Sequence, residues 1–267
     1  MIDLLKYYYN MNVNDYIENK EIIYFNYNYK KYYLTTIATS KMNIIIKSQN
    51  YPYFNKIISN RFNEAFTFYS NKIYAVFEIL FDYYRSIELR DIKNIININK
   101  NNYITTDIID YSKLWNRKIN YYNNIYQNRK NYYFEYFMGI GRCAYLLSRN
   151  INYNNINYGF SINRIKKNND ICEFWNPAIL KYGASVNILS EYIKCRFFDF
   201  DEEISKDIID EFELNNDEYK LLISKLLFPT YYLDLINCDE NNKDNEQIEK
   251  VIDKIEKYIK YVFGLMQ

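Results

Sequence analysis

The chemistry open to this chain runs on carboxylates, lysines, tyrosines and thiols, because its 267 residues include no histidine. Without imidazole there is no His-activated nucleophile, no His acid–base step and no His-ligated metal. The densest acidic run is Asp199, Asp201, Glu202 and Glu203. Such a run can hold a divalent cation; it also has the form of a solvated first helical turn, and a helix over about 203–212 is the expectation. Lys30-Lys31 and Lys166-Lys167 can contact phosphates or simply face solvent. Cys143, Cys172, Cys195 and Cys238 include no pair at metal-knuckle spacing, so no zinc site is expected and the thiols read as free and reduced. The five glycines supply neither G-x-x-x-x-G-K-[ST] nor a G-x-S-x-G elbow. Gly139-Ile140-Gly141 falls inside a helical pattern and reads as a packing feature.

Bulk properties narrow the partners. Apolar residues make up 49%, enough for a sizeable core. Thirty-four basic and 33 acidic residues leave a formal charge of +1, so no bulk field draws the chain to nucleic acid or an acidic surface. The abundance of Ile, Asn, Lys and the 33 tyrosines reads first as the codon bias of an AT-rich genome. The N-terminus lacks the pattern of a secretory signal, and no run approaches the ~18 apolar residues of a membrane span. A cytoplasmic protein is expected.

The elements that must position these groups change character along the chain. The first ~80 residues are aromatic and β-branched. Residues 21–26 and 27–37 read as a strand pair turning at Asn26 and Asn28. Residues 65–69 and 73–80 form a second pair around Ser70-Asn71-Lys72. Residues 43–56, broken by Pro52, are ambiguous and leave room for one helix. Beyond ~110 the period becomes helical. Leu114 to Ile125 and Tyr133 to Leu147 fit two helices, and an Asn-rich loop spans 150–158. Another helix starts just after Gly183. Asn216 is the expected N-cap of a helix that must stop at Pro229. The last helix is expected from Asp244, with Gln247 completing a capping box, to Gly264. The expected fold class is α+β, with a β-rich lobe over 1–82 and a helical lobe over 83–267.

Six segments, in this order, carry a resemblance. They are Leu114-Trp-Asn-Arg-Lys-Ile, Tyr136-Phe-Met-Gly-Ile-Gly-Arg-Cys, Ser161-Ile-Asn-Arg-Ile, Phe174-Trp-Asn-Pro, Leu189-Ser-Glu-Tyr-Ile-Lys and Leu226-Leu-Phe-Pro-Thr-Tyr-Tyr-Leu-Asp-Leu. The chain resembles the spore-coat-associated YutH/CotS-type proteins, a branch of the aminoglycoside-phosphotransferase-like, protein-kinase-like fold. The resemblance implies two lobes and, in active relatives, ATP and Mg²⁺. A catalytic-loop Asp takes the acceptor's proton, a second Asp holds metal and an N-lobe Lys contacts phosphate.

Set against that pattern, the loop Ile162-Asn163-Arg164 has Ile162 where relatives place a His and Arg164 where the catalytic Asp belongs. Gly183 stands where the metal-holding Asp is expected, and the acid that often opens the next helix is replaced near Ile188. Arg164 cannot accept a proton and Gly183 offers no oxygen side chain. The implication is a degenerate, pseudokinase-like protein without a cofactor, working through protein partners, such as those of a spore coat or envelope. The alternative is an active phosphotransferase in which Asp170 or Glu173 serves as base or metal ligand and Lys31 contacts phosphate.

Overall fold

The computed structural model describes residues 1–19, 22–81, 85–101, 108–126, 132–167, 171–238 and 245–266, apart from the side chains of 237, 238 and 245–250. Along the chain lie α1 (Ile2–Tyr9), β1 (Tyr16–Asn19), β2 (Ile22–Tyr27), β3 (Lys30–Thr36), α2 (Met42–Ser48), β4 (Lys56–Ile58), β5 (Thr67–Tyr69) and β6 (Lys72–Glu78). Next come α3 (Leu89–Asn101), α4 (Tyr111–Ile125), α5 (Tyr132–Arg149), β7 (Tyr158–Ser161), α6 (Ile171–Phe174) and β8 (Lys181–Ala184). The chain closes with α7 (Val186–Phe200), α8 (Lys206–Asp210), α9 (Asn216–Leu227), α10 (Thr230–Cys238) and α11 (Asn245–Gly264). Two compact units form. One joins Met1–Leu89 with Asn168–Tyr182; the other joins Arg90–Lys167 with Gly183–Gln267.

The first unit is built on an antiparallel sheet in the order β1-β2-β3-β6-β4, with β5 also paired to β6. Two hairpin turns among the described residues obey the same rule. Asn28-Tyr29 (φ 48° and 64°) and Ser70-Asn71 (φ 47° and 61°) both take left-handed backbone, which matches the strand twist in two-residue turns. The first turn therefore lies one step beyond Asn26, which stays in β2. Ile23, Phe25, Tyr32, Leu34, Tyr74 and Val76 form one buried face, covered by Leu4, Leu5 and Tyr9 of α1. Neither α1 nor β1 was expected from the sequence: α1 is a single short amphipathic stretch, and all four residues of β1 are exposed.

The second unit is helical. α5 packs between α4 and α9, and α9 also meets α7 and α11. The packing role read for Gly139-Ile140-Gly141 is not required by the fold: a Cβ at Gly141 would make ordinary contacts with Pro229 Cδ at 3.4 Å and Ile119 Cγ1 at 3.7 Å, and one at Gly139 would meet nothing within 4 Å. α9 stops before Pro229, with Phe228 extended as a residue preceding proline must be. Its N-cap is Asn215 rather than Asn216. Asn215 accepts from the Glu218 N–H, and Glu218 reciprocates in a capping box, which Asn216 is one residue too late to form. The helix expected over 203–212 is shorter, Lys206–Asp210, because Ser205 caps it. The expected cap of α11, Asp244, lies outside the described residues. Along α11, Ile252, Ile255, Ile259 and Val262 are buried, whereas Val251 is 41% exposed.

Candidate functional site

Strand parity decides which side chains of the first unit face away from α1. In the register Ile17↔Tyr24 and Tyr24↔Tyr33, with Asn26↔Lys31 beside it, these residues share the other face of the sheet. That face forms one wall of a cavity of about 650 Å³, within the range of small-molecule sites. Asp15, Ile79, Phe81 and, from the segment 171–176, Cys172, Glu173 and Asn176 also line it. Two residues singled out from the sequence, Lys31 and Glu173, are thus brought to one cavity. Asp170 lies outside the described residues.

The segment after α6 is fastened to the first unit by buried polar contacts. Asn55, fully buried, donates its backbone N–H to the Trp175 carbonyl at 3.1 Å and its Nδ2 to the Cys172 carbonyl at 3.3 Å. Its Oδ1 accepts from the Leu80 N–H at 3.2 Å. Tyr33 Oη donates to Asn176 Oδ1 at 2.6 Å, and burial holds the Tyr33 phenol well above its usual range. Lys41 Nζ donates to the Leu180 carbonyl, and burial, then the charge of Lys181, lowers its pKa. Trp175 stacks on Tyr53 at 5.1 Å and meets Phe54 edge-on at 5.2 Å. Sequence reasoning missed Tyr33, Cys172 and Asn176 as cavity residues. Parity with Lys31 signals Tyr33; nothing local signals a contact between positions 143 residues apart.

In the second unit, the loop after β7 is anchored by an amide. Asn99 of α3 donates Nδ2 to the Phe160 carbonyl at 2.9 Å and accepts the Phe160 N–H at 2.8 Å, acting as a strand partner. Gly159 permits this: a Cβ there would lie 2.1 Å from Asn99 Oδ1. From this anchor Ile162 is buried at 3% exposure and Asn163 points to solvent. The Arg164 guanidinium lies 4.9 Å from the Tyr231 ring centre and 3.5 Å from Asp234 Oδ2. Burial pushes the Tyr231 phenol up to about 12, with Arg164 acting in the opposite direction. Lys194, charge-coupled to Glu191, Arg164 and Asp234, is buried, and that burial lowers its pKa.

Gly183 occupies a closed position. A Cβ there would meet Asn187 Nδ2 at 2.6 Å and Ser161 Cβ at 3.3 Å. Asn187 is fixed by Tyr111 through hydrogen bonds of 3.1 and 3.0 Å, and both side chains are buried. Ile188, in the first turn of α7, is fully buried.

The acidic run does not converge. Asp199 Oδ2 accepts from the Lys167 N–H at 3.1 Å, Asp201 pairs with Lys254 at 2.6 Å and Glu202 pairs with Arg196. Asp201 is the left-handed C-cap of α7, not part of a first turn. Lys30 pairs with Glu78 at 2.8 Å. Among the described residues no three Cys, Asp or Glu gather closely enough to hold a metal, and no helix is long and apolar enough to cross a membrane.

These elements define an aminoglycoside-phosphotransferase-like, protein-kinase-like fold. An aminoglycoside phosphotransferase from Alicyclobacillus acidocaldarius subsp. acidocaldarius DSM 446 superposes with a TM-score of 0.72 at 10% identity, over 96% of this chain and 92% of that one. Spectinomycin phosphotransferase APH(9)-Ia, in complex with ADP and spectinomycin, gives 0.62 at 12% identity, over 99% and 97%. No protein-family model matches the sequence, and no curated protein matches it.

Proposed function

We propose that this chain is a non-catalytic, pseudokinase-like protein that acts through protein–protein contact. The resemblance to YutH/CotS-type proteins suggests a spore coat or related envelope assembly as the setting. The observation that carries the reading is the packing around Arg164 and Gly183, the two positions that the resemblance assigns to the phosphotransferase acids. At the first, Arg164 rests against Tyr231 and Asp234. At the second, Gly183 is hemmed in by the Asn187–Tyr111 pair, leaving no room for the Cβ of any acid. Neither position offers a proton acceptor or a metal ligand. The residues at these positions do not fit Mg·ATP, and no step through it follows from them.

The test is a thermal-shift titration with Mg·ATP combined with a phosphate-transfer assay on protein and small-molecule acceptors. The expected result is no Mg²⁺-dependent stabilisation and no transfer. Transfer to any acceptor overturns the proposal.

A second reading, an active phosphotransferase with displaced acids, is favoured by one observation: Lys31 and Glu173 line the same cavity. Under it, Glu173→Gln and Asp170→Asn each abolish turnover. Turnover that survives both substitutions excludes these residues as the acids.

A further inference from the structure

On the α1 side of the first unit's sheet, away from the cavity, lies an exposed aromatic cluster. Its scaffold is the turn 60–64. Asn60, 3% exposed, accepts from the Phe62 and Glu64 N–H groups at 2.9 and 3.1 Å. Its Nδ2 donates to Glu64 Oε2 at 3.1 Å and to Thr67 Oγ1 at 3.2 Å. The Arg61 N–H donates to the Tyr8 carbonyl, near the end of α1, at 2.7 Å. The turn is thereby fastened to α1, and its side chains meet the tyrosines there. The Arg61 guanidinium lies over the Tyr7 ring at 3.8 Å and over the Phe62 ring at 4.8 Å. Tyr8, packed against the buried face under α1, meets Tyr7, Phe62 and Tyr69 edge-on at 4.9, 6.1 and 6.3 Å. Tyr7 and Phe62 are each 54% exposed and Tyr69 is 38% exposed.

Tyrosine, phenylalanine and arginine side chains open to solvent are the composition of a protein-binding hot spot, and their mutual contacts reduce the freedom lost when a partner docks. At 3.8 Å the guanidinium stacks on Tyr7 by its face, which leaves the N–H donors in its plane for a carboxylate. Among the described residues no acid takes them: Arg61 makes no ion pair, and Glu64, the acid of the same turn, bonds Asn60 instead. The hydroxyls of Tyr7, Tyr8 and Tyr69 also make no hydrogen bond among the described residues. Charge sets the class of partner. Residues 59–71 hold one cation, Arg61, and one acid, Glu64, so the clustered positive charge that gathers phosphate groups or an anionic lipid surface is missing. We infer that this cluster docks an acidic segment of a partner protein, in which Asp or Glu stands beside an aromatic or aliphatic side chain. The carboxylate takes the Arg61 fork and the apolar neighbour packs on the exposed rings. The inference goes beyond the non-catalytic reading and does not depend on it.

The probe is a phage-displayed library of random peptides, selected on the full-length protein. Enriched peptides are synthesised and titrated by calorimetry into the wild type and variants, with circular dichroism confirming that each variant is folded. The expected result is enrichment of peptides that place Asp or Glu beside an aromatic or aliphatic residue. Arg61→Gln weakens their binding about tenfold, the size of one charge-assisted pair. Arg61→Lys falls between that variant and the wild type, because it keeps the charge and loses the fork. Phe62→Ala, which leaves the charge in place, weakens binding as well. Failure to enrich any peptide, enrichment of peptides without Asp or Glu, or binding that survives both Arg61→Gln and Phe62→Ala overturns the inference. Arg61-dependent flotation with phosphatidylserine vesicles also overturns it, because it assigns the cluster to a lipid surface. Phosphate transfer tells against the function proposed above instead, so the two failures are distinguishable.

Discussion

Replacing Gly183 by alanine is expected to destabilise the protein through Asn187. The new Cβ would stand 2.6 Å from Asn187 Nδ2, so that amide must retreat by about 1 Å to reach ordinary contact. It cannot retreat freely, since Asn187 and Tyr111 are bonded at 3.0 and 3.1 Å and are 6% and 5% exposed. Leaving buried partners unpaired costs about 1–3 kcal/mol. The loss of chain entropy in the unfolded alanine variant returns about 0.4–1 kcal/mol, because Gly183 does not need a positive φ. The net expectation is a loss of about 1–2 kcal/mol. That corresponds to a fall of about 2–8 °C in Tm for a unit of this size. Thermal and urea unfolding of the wild type, Gly183→Ala, Asn187→Ala and the double variant form a cycle that isolates the contact. In the Asn187→Ala background the Gly183→Ala cost should vanish or change sign. An equal cost in both backgrounds, or no cost in the wild type, refutes the reasoning. The result also bears on function: Gly183→Asp carries the same Cβ, so an acid cannot be installed there without dismantling the Tyr111–Asn187 pair.

Two further outcomes are expected. Lys194 is buried with a lowered pKa, so between that value and the ordinary lysine value the unfolded chain binds more protons than the folded one, and its contribution to stability rises with pH. Lys194→Met should raise the unfolding midpoint at pH 7 and flatten the rise in stability on the alkaline side; an unchanged pH slope contradicts this. Cys195 is buried, and burial followed by the Asp199 charge pushes its thiol up to about 12, whereas Cys143 is exposed. At pH 8 a thiol reagent should label Cys143 readily and Cys195 only on unfolding, read by peptide mass spectrometry. Labelling of Cys195 in the native protein at a comparable rate would show that its burial is incorrect.

The sequence revealed the α+β division because hydrophobic periodicity is a local signal. The aromatic and β-branched runs became β2, β3 and β6, and the helical spacing became α4, α5 and α11. Pro229 ended α9 as expected, since the lost N–H and the restricted residue before it are properties of the chain itself. Elements set by tertiary contact were not legible. β1 has four exposed residues and is a strand only because Ile22–Phe25 pairs with it. The acidic run was misread for a similar reason: its order along the chain resembles a first turn, while its partners, Lys254 and Arg196, are what place it at the end of α7.

The candidate site divides along the same line. Lys31 and Glu173 were nameable as charged residues, but their convergence on one cavity depends on the segment 171–176 being held to the sheet by Asn55, Asn176 and Trp175. These amides are common in so Asn-rich a chain and carry no distinguishing spacing. Gly183 was read from the resemblance as a lost acid position; the structure adds that a Cβ there would meet Asn187, which is held by buried hydrogen bonds to Tyr111. Under the proposed non-catalytic reading, an acid position left open could be refilled by one substitution, whereas one closed by a buried, mutually bonded pair resists it; within that proposal the packing around Gly183 carries more weight than the absence of an aspartate alone.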